Sequence, residues 1–153
     1  MLTQTLIALF ERDLNRVVKE LQLYQNESNI WRIEKNIANS AGNLSLHLVG
    51  NLNTYIGNEI GKTGYVRNRE LEFSLKDIPK KDLIEQLENT VITVKAALSL
   101  LTDEDLKKEY PILVLSEITT TEFFMVHLLS HLNYHLGQIN YHRRLVEGIV
   151  AIC

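Results

Sequence analysis

The sequence predicts an all-α protein folded as a four-helix bundle. Apolar residues recur at spacings of three and four along four separate segments, and polar residues occupy most positions between them. Polar stretches, glycines and a proline separate these segments, and one long connection follows the second of them. Four amphipathic helices with one long connection are typical of a bundle. The 153 residues are expected to form one domain, 1–153.

The first two predicted helices are separated by a polar stretch that leads to Trp31. The first covers residues 2–26, and the indole of Trp31 is expected to close one end of the core. The second begins near Ser40 or Ala41 and runs to about Glu59, where glycines end it. Its apolar stripe is formed by Leu44, Leu48, Leu52 and Ile56.

The connection after the second helix, residues 62–76, has no clear period and is predicted to be a crossover loop. Pro79 suits the first turn of the third helix, because a missing N–H costs little there. Residues 102–105 indicate a cap on a short extra turn.

The last part of the chain combines a short apolar segment with the fourth predicted helix. Residues 110–118 are too few for a long helix and are predicted to be extended or half of a small hairpin. Thr119 followed by Glu122 is a capping-box pattern before an apolar run. The fourth helix should therefore begin there and reach about Glu147, before Gly148.

Composition excludes several classes of function. A formal net charge of −3 and scattered basic residues argue against nucleic-acid binding, which needs a clustered basic face. No apolar run approaches the length of a membrane span, and the amino terminus lacks the features of a signal peptide. The single cysteine, Cys153, cannot form an intramolecular disulfide, so a reducing, cytoplasmic location is expected.

The fourth predicted helix contains four of the five histidines. Residues four apart lie one turn apart and differ by about 40° in direction, so two such imidazoles can bind one metal ion. Histidines on three successive turns cannot all bind the same ion, because positions i and i+8 lie about 12 Å apart. The pair that faces the apolar interior most closely is His131 with His135. His127 points toward the flank, and His142 lies about 10 Å further along the axis.

A third ligand must come from another helix, and the only remaining histidine is His47 in the second predicted helix. Gly50, one turn away, permits close approach of a neighbouring helix. Three histidines would leave coordination positions open for water or substrate, as in catalytic metal sites.

The alternative is that these histidines are hydrogen-bonded core residues. For His47 taken alone, that interpretation is favoured. For His131 and His135 together the metal site is favoured, because inward imidazoles without a metal would leave polar groups facing hydrocarbon. His127 and His142 are interpreted as structural or entrance residues.

The fourth helix also carries a recognisable motif. The pattern His-x-x-x-His-x-Gly-Gln, which begins at His131 and is followed by Arg144, resembles the last helix of the DinB-like superfamily of metal-binding four-helix bundles. The sequence around His47 is similar to the segment that supplies the first ligand histidine in an uncharacterised branch of that superfamily. The resemblance covers nearly the whole chain, although only these two segments are specific.

The resemblance implies an up-down-down-up bundle with a long crossover, and often a homodimer. It also implies a divalent metal, such as nickel or zinc, bound by His47, His131 and His135. Some relatives are bacillithiol S-transferases and others are mycothiol-dependent isomerases, in which the metal binds and ionises a low-molecular-weight thiol. A metal-coordinated thiol is indeed deprotonated near neutral pH. Many members of the superfamily have no assigned activity.

Two functions from different classes remain open. The first is a divalent-metal-dependent enzyme that transfers a low-molecular-weight thiol to a small-molecule substrate through a metal-activated thiolate or water. The second is a non-catalytic metal-binding or ligand-binding bundle. A proton-transfer group beside the metal would separate them, but the acidic residues fall mostly on exposed faces and no catalytic residue is identified. Asn51, Gln138 and Tyr134 are either hydrogen-bond partners of the ligand histidines or bound water, or surface and packing residues.

Overall fold

The computed structural model describes residues 1–148, and within that range the protein is all-helical, with no β-strand. The predicted all-α class is confirmed, and the six α-helices include the short turn predicted at residues 102–105 and one that was not predicted, within residues 62–76. The prediction drawn from Cys153 lies outside the described residues. No described helix is both long and apolar enough to cross a membrane. The helices are α1 (Leu2–Leu23), α2 (Ala41–Leu52), α3 (Arg69–Ser74), α4 (Lys80–Leu98), α5 (Asp103–Leu106) and α6 (Thr121–Val146).

The four longest elements, α1, α2, α4 and α6, pack around a common core. Helix α1 contacts α4 and α6, and α2 contacts the same two helices. Helix α2 differs from the others because every one of its 12 residues is buried. A helix that is covered on all sides belongs at the centre of a protein rather than on its surface. Trp31 is buried as predicted, and its ring lies directly against Gly42 of α2.

The helix starts follow the capping residues that the sequence contains. The side chain of Ser40 accepts a hydrogen bond from the backbone N–H of Asn43 and begins α2 as predicted. Helix α6 begins one residue later than expected, because Thr120 is its N-cap. The carbonyl of Thr119 instead accepts a hydrogen bond from the backbone N–H of Tyr110.

The second helix ends close to the predicted Glu59, but the prediction of a regular helix is wrong for its last turns. The α-helical part stops at Leu52 and a π-helical turn, Asn53–Asn58, follows it. The side chains of Asn53 and Thr54 donate hydrogen bonds to the carbonyls of Val49 and Gly50, one turn earlier. Such side-chain bonds compete with the backbone ladder and favour local unwinding.

The prediction of an irregular crossover loop over residues 62–76 is also wrong, because this segment contains α3. Asn68 caps the helix by accepting a hydrogen bond from the backbone N–H of Leu71. The amide of Asn43, on α2, donates hydrogen bonds to the carbonyls of Glu72 and Leu75. These bonds hold α3 against α2. Residues 110–118 contain no strand, and an isolated bridge between Glu109 and Thr120 closes the segment.

His142 is a hydrogen-bonded core residue. Its Nε2 lies 2.7 Å from the carbonyl oxygen of Arg32, and its Nδ1 lies 2.6 Å from the hydroxyl of Tyr24. Because a carbonyl only accepts, Nε2 carries the proton and Nδ1 accepts from the tyrosine. Burial lowers the pKa of His142 and raises the pKa of Tyr24, so both groups are neutral at pH 7.

Removal of the Tyr24 hydroxyl should destabilise the fold. Tyr24→Phe leaves the buried Nδ1 of His142 without a donor, at an expected cost of about 1–3 kcal/mol in the free energy of unfolding. Urea unfolding at pH 7.5 measures the change. Tyr141→Phe is the matched control, because the Tyr141 ring is exposed and its variant should unfold like the wild type. Equal midpoints for wild type and Tyr24→Phe would contradict the assignment.

Candidate metal centre

Three imidazoles meet between α2 and α6. His47 comes from α2, and His131 and His135 come from successive turns of α6. The Nε2 atom of His131 lies 3.2 Å from Nε2 of His47 and 3.0 Å from Nε2 of His135. One ligand atom from each of the three residues lies within 4.8 Å of the other two. The structure therefore brings together the three histidines that the sequence predicts as ligands, while metal binding itself stays a prediction.

The nitrogen spacing fits a coordination sphere. With metal–nitrogen bonds of roughly 2.0–2.1 Å, two ligands are about 2.9 Å apart at a right angle and about 3.3 Å apart at the tetrahedral angle. The two measured separations, 3.0 and 3.2 Å, fall in that interval. Glu72 and Gln138 accept hydrogen bonds from Nδ1 of His47 and His135, so the ring N–H of each of these residues points away from the cluster. Only an N–H on His131 could then lie between the Nε2 atoms, and it could serve only one of the two contacts. A cation shared by the three nitrogens would remove the repulsion between the remaining lone pairs.

A carboxylate orients the ring of His47. Oε1 of Glu72 lies 3.0 Å from Nδ1 of His47, and Arg67 donates to both oxygens of Glu72 at 2.7 and 2.8 Å. Burial alone raises the pKa of Glu72, but hydrogen bonds from Arg67 and His47 hold it below its usual value. An ionised carboxylate only accepts, so Nδ1 carries the proton and Nε2 keeps its lone pair for a metal.

Gly50 makes this contact possible. A Cβ atom added there would lie 2.0 Å from Oε2 of Glu72, far inside van der Waals distance. The sequence predicts close approach of a helix at Gly50, and the group that approaches is the carboxylate of Glu72, from α3.

The two ligands on α6 have different surroundings. Nδ1 of His135 lies 2.7 Å from the amide oxygen of Gln138, which fixes its proton on Nδ1 and directs Nε2 toward the cluster. Nδ1 of His131 is buried and has no hydrogen-bond partner in the described part of the chain. Burial and the neighbouring imidazoles of His135 and His47 lower the pKa of His131 to about 4. Burial also lowers the pKa of His135, so both imidazoles are neutral at pH 7, the form that binds a metal.

The other sequence candidates lie outside the cluster. His127 is exposed, and its ring stacks on Phe124. Tyr134 is exposed and touches the edge of the His135 ring. Asn51 makes no hydrogen bond to a ligand histidine, and its buried Oδ1 has no partner among residues 1–148.

A cleft of about 290 Å³ reaches the cluster from one side. Its lining includes His47 and His131 themselves, together with His127 at the margin. A larger cleft, of about 530 Å³, is lined by Gln138, which bonds to His135, but by none of the three histidines themselves. His47 and His131 therefore border space that a ligand can occupy.

Sequence reasoning missed Glu72 and Arg67. Both lie in the segment predicted to be a loop, and Glu72 is only 5% exposed. The available signal was Asn68, a good N-cap residue with Glu70 and Glu72 in the first helical turn after it. That pattern indicates a helix start but not which glutamate is buried.

Acidification should destabilise the metal-free protein. Because the pKa of His131 is lowered from 6.5 to about 4 in the folded state, the unfolded chain binds more protons between those values. The free energy of unfolding should therefore fall as the pH is lowered from 7 to 5. Urea unfolding of chelator-treated protein across this range measures the slope, which should be shallower in His131→Gln. A wild-type protein equally stable at pH 7 and pH 5 would refute this assignment.

Comparison with known proteins adds a family but no activity. Residues 3–149 match the family described as "Protein of unknown function (DUF1572)". No curated protein matches the chain.

Proposed function

The chain belongs to the DUF1572 family, and from the geometry of its histidine cluster we propose that it is a divalent-metal-dependent enzyme acting on a small molecule. The observation that carries this proposal is the convergence of three imidazoles, with Nε2 of His131 at separations from Nε2 of His47 and of His135 that suit metal coordination. Hydrogen bonds from Nδ1 of His47 and His135 to Glu72 and Gln138 support it, because metal-bound histidines characteristically have such partners.

The architecture proposed is a DinB-like four-helix bundle, with an up-down-down-up order of α1, α2, α4 and α6. The contacts of α1 and α2 with both α4 and α6 support this arrangement. The resemblance of the α6 motif to the DinB-like superfamily supports it independently. A cytoplasmic homodimer, as that resemblance implies, is part of the same proposal.

The reaction proposed is transfer of a low-molecular-weight thiol to a small molecule. Nickel or zinc bound by His47, His131 and His135 would supply Lewis acidity that ionises a thiol or water. The sulfur would form a bond to an electrophilic carbon, the leaving group would depart with the bonding electron pair, and the thiol proton would pass to solvent. The protein's own part is to hold three neutral imidazoles with their lone pairs directed inward.

The second candidate is a non-catalytic protein whose metal is structural. Structural zinc sites are closed by four protein ligands, whereas the described cluster offers three and borders a cleft at His47 and His131. An open coordination position favours the enzyme over the structural role.

Metal analysis tests the site directly. Protein purified without a histidine tag should contain near-stoichiometric divalent metal, and His131→Ala/His135→Ala should lose it while keeping its helical circular-dichroism signal. His127→Ala is the matched control, because it removes an exposed histidine of the same helix and should keep the metal. If the wild type contains no metal and takes up no added nickel, zinc, cobalt or manganese, the proposal of a metal-dependent enzyme is refuted.

Gly50→Ala should weaken metal binding without removing a ligand. The added methyl group displaces the carboxylate of Glu72 from His47, and loss of such a partner typically lowers metal affinity 10–100-fold. Competition with a chromophoric chelator measures the affinity.

Two further variants make this prediction specific. Gly137→Ala is the control, because a Cβ there meets nothing within 4 Å and should leave the affinity unchanged. Glu72→Gln keeps the shape of the side chain and should weaken binding in the same direction as Gly50→Ala. Unchanged affinity in both Gly50→Ala and Glu72→Gln would show that the carboxylate does not support the metal.

A further inference from the structure

The cleft that reaches His47 and His131 has an unusual lining. Seven of its ten lining side chains are polar or basic, and none is acidic. Two of the seven are arginines, Arg67 and Arg69, which reach the cleft from the segment at the start of α3. Arg67 is already paired with Glu72, so Arg69 supplies the uncompensated positive charge of this lining, and a concave surface with such a charge attracts anions.

Both arginines have hydrogen-bonding capacity left for a ligand. Arg67 uses Nε and one side of Nη2 to hold Glu72, which leaves the two hydrogens of Nη1 free of described partners. The guanidinium of Arg69 lies over the ring of Phe73 at 5.7 Å and forms no ion pair within residues 1–148. Stacking of this kind positions the guanidinium plane while its N–H edge stays available.

Asn51 provides a separate indication of a ligand. It lies one helical turn after His47, is only 7% exposed and lines the same cleft. Its Oδ1 has no hydrogen-bond partner among the described residues. A buried amide oxygen without a donor is costly, and polar groups left in this state are often completed by a ligand or ordered water.

We infer that this cleft binds a small anionic molecule, with Arg67 and Arg69 contacting its carboxylate or phosphate oxygens and Asn51 accepting a hydrogen bond from its hydroxyl or thiol. This inference rests on the proposed metal site for its chemical meaning, because such a ligand lies beside the open side of the histidine cluster. The negative charge of such a ligand also suits the proposed metal site. Three neutral imidazoles would leave the positive charge of a bound divalent cation uncompensated. The binding groups themselves belong to the protein and act with or without the metal.

Calorimetric titration tests the inference with two probes, inorganic phosphate and succinate. Both metal-loaded protein and protein stripped of metal are titrated, after gel filtration to remove the chelator, which is itself an anion. We expect one binding event per chain in both forms, tighter with metal present. The tighter-binding probe identifies the anionic group as phosphoryl or carboxylate. Arg69→Gln should weaken binding of the metal-free protein about tenfold, since it removes charge-assisted hydrogen bonds.

Two more variants complete the test. Asn51→Leu should weaken phosphate about fivefold, because hydrogen phosphate carries a hydroxyl, while keeping the urea midpoint, since an unpaired amide supports no fold contact. Arg144→Gln is the matched control: Arg144 is also an exposed arginine stacked on an aromatic ring, Tyr141, and its loss makes the same change in charge. Affinity in this control should stay within twofold of the wild type.

The outcomes separate the two proposals. If the wild type takes up no metal but binds the anion, and Arg69→Gln loses that binding, the anion cleft is supported and the metal site is refuted. Binding seen only with metal, and unchanged in Arg69→Gln and Asn51→Leu, would overturn the cleft and keep the metal site. No binding in either form, or equal weakening in Arg144→Gln, would also overturn it.

Discussion

The complete burial of α2 is the constraint on which the rest of the structure depends. A helix of 12 residues with no solvent-facing side must be covered all round, and α3, α4 and α6 cover it. Two glycines of α2 admit close neighbours that a side chain would exclude: the ring of Trp31 lies against Gly42, and the carboxylate of Glu72 lies against Gly50. Close packing at these points fixes the positions of the neighbours, including the short helix that carries Glu72.

The same burial determines the charge balance of the histidine cluster. A buried carboxylate needs compensation, and Glu72 receives it from Arg67 rather than from a metal. The three residues proposed as metal ligands are imidazoles, in contrast to the carboxylate ligands of di-iron helical bundles. A cation bound there as proposed would not be neutralised by its ligands, so the anion inferred to bind in the cleft would supply the compensating negative charge.

Local features of this chain could be predicted from sequence, and tertiary features could not. His131 and His135 share a face because i, i+4 spacing is a property of one helix. Ser40 caps α2 by a hydrogen bond to a backbone N–H only three residues later, so the local sequence is enough to predict it. His47 follows from elimination among the five histidines and from the resemblance of its segment to the DinB-like superfamily, not from any periodicity that links α2 to α6. Glu72 can be buried only because Gly50, on α2, has no side chain. The hydrophobic periodicity of the segment that contains Glu72 carries no information about a residue on another helix. The π-helical turn is not predicted, because it depends on hydrogen bonds from the side chains of Asn53 and Thr54 to the backbone. The spacing of apolar residues does not report such bonds.

The shortness of α3 has a dynamic consequence. A helix of 6 residues is not stable by itself in water, so α3 is ordered only through its contacts with α2 and the Arg67–Glu72 pair. The backbone amides of α3 should therefore exchange with deuterated solvent through local openings of low free energy. The amides of α2 should require openings of much higher free energy. Each such opening would remove Glu72 from the Nδ1 side of the His47 ring while the four long helices stay packed. The most deeply buried imidazole of the cluster would then be the one whose exposure depends on the stability of a single short helix.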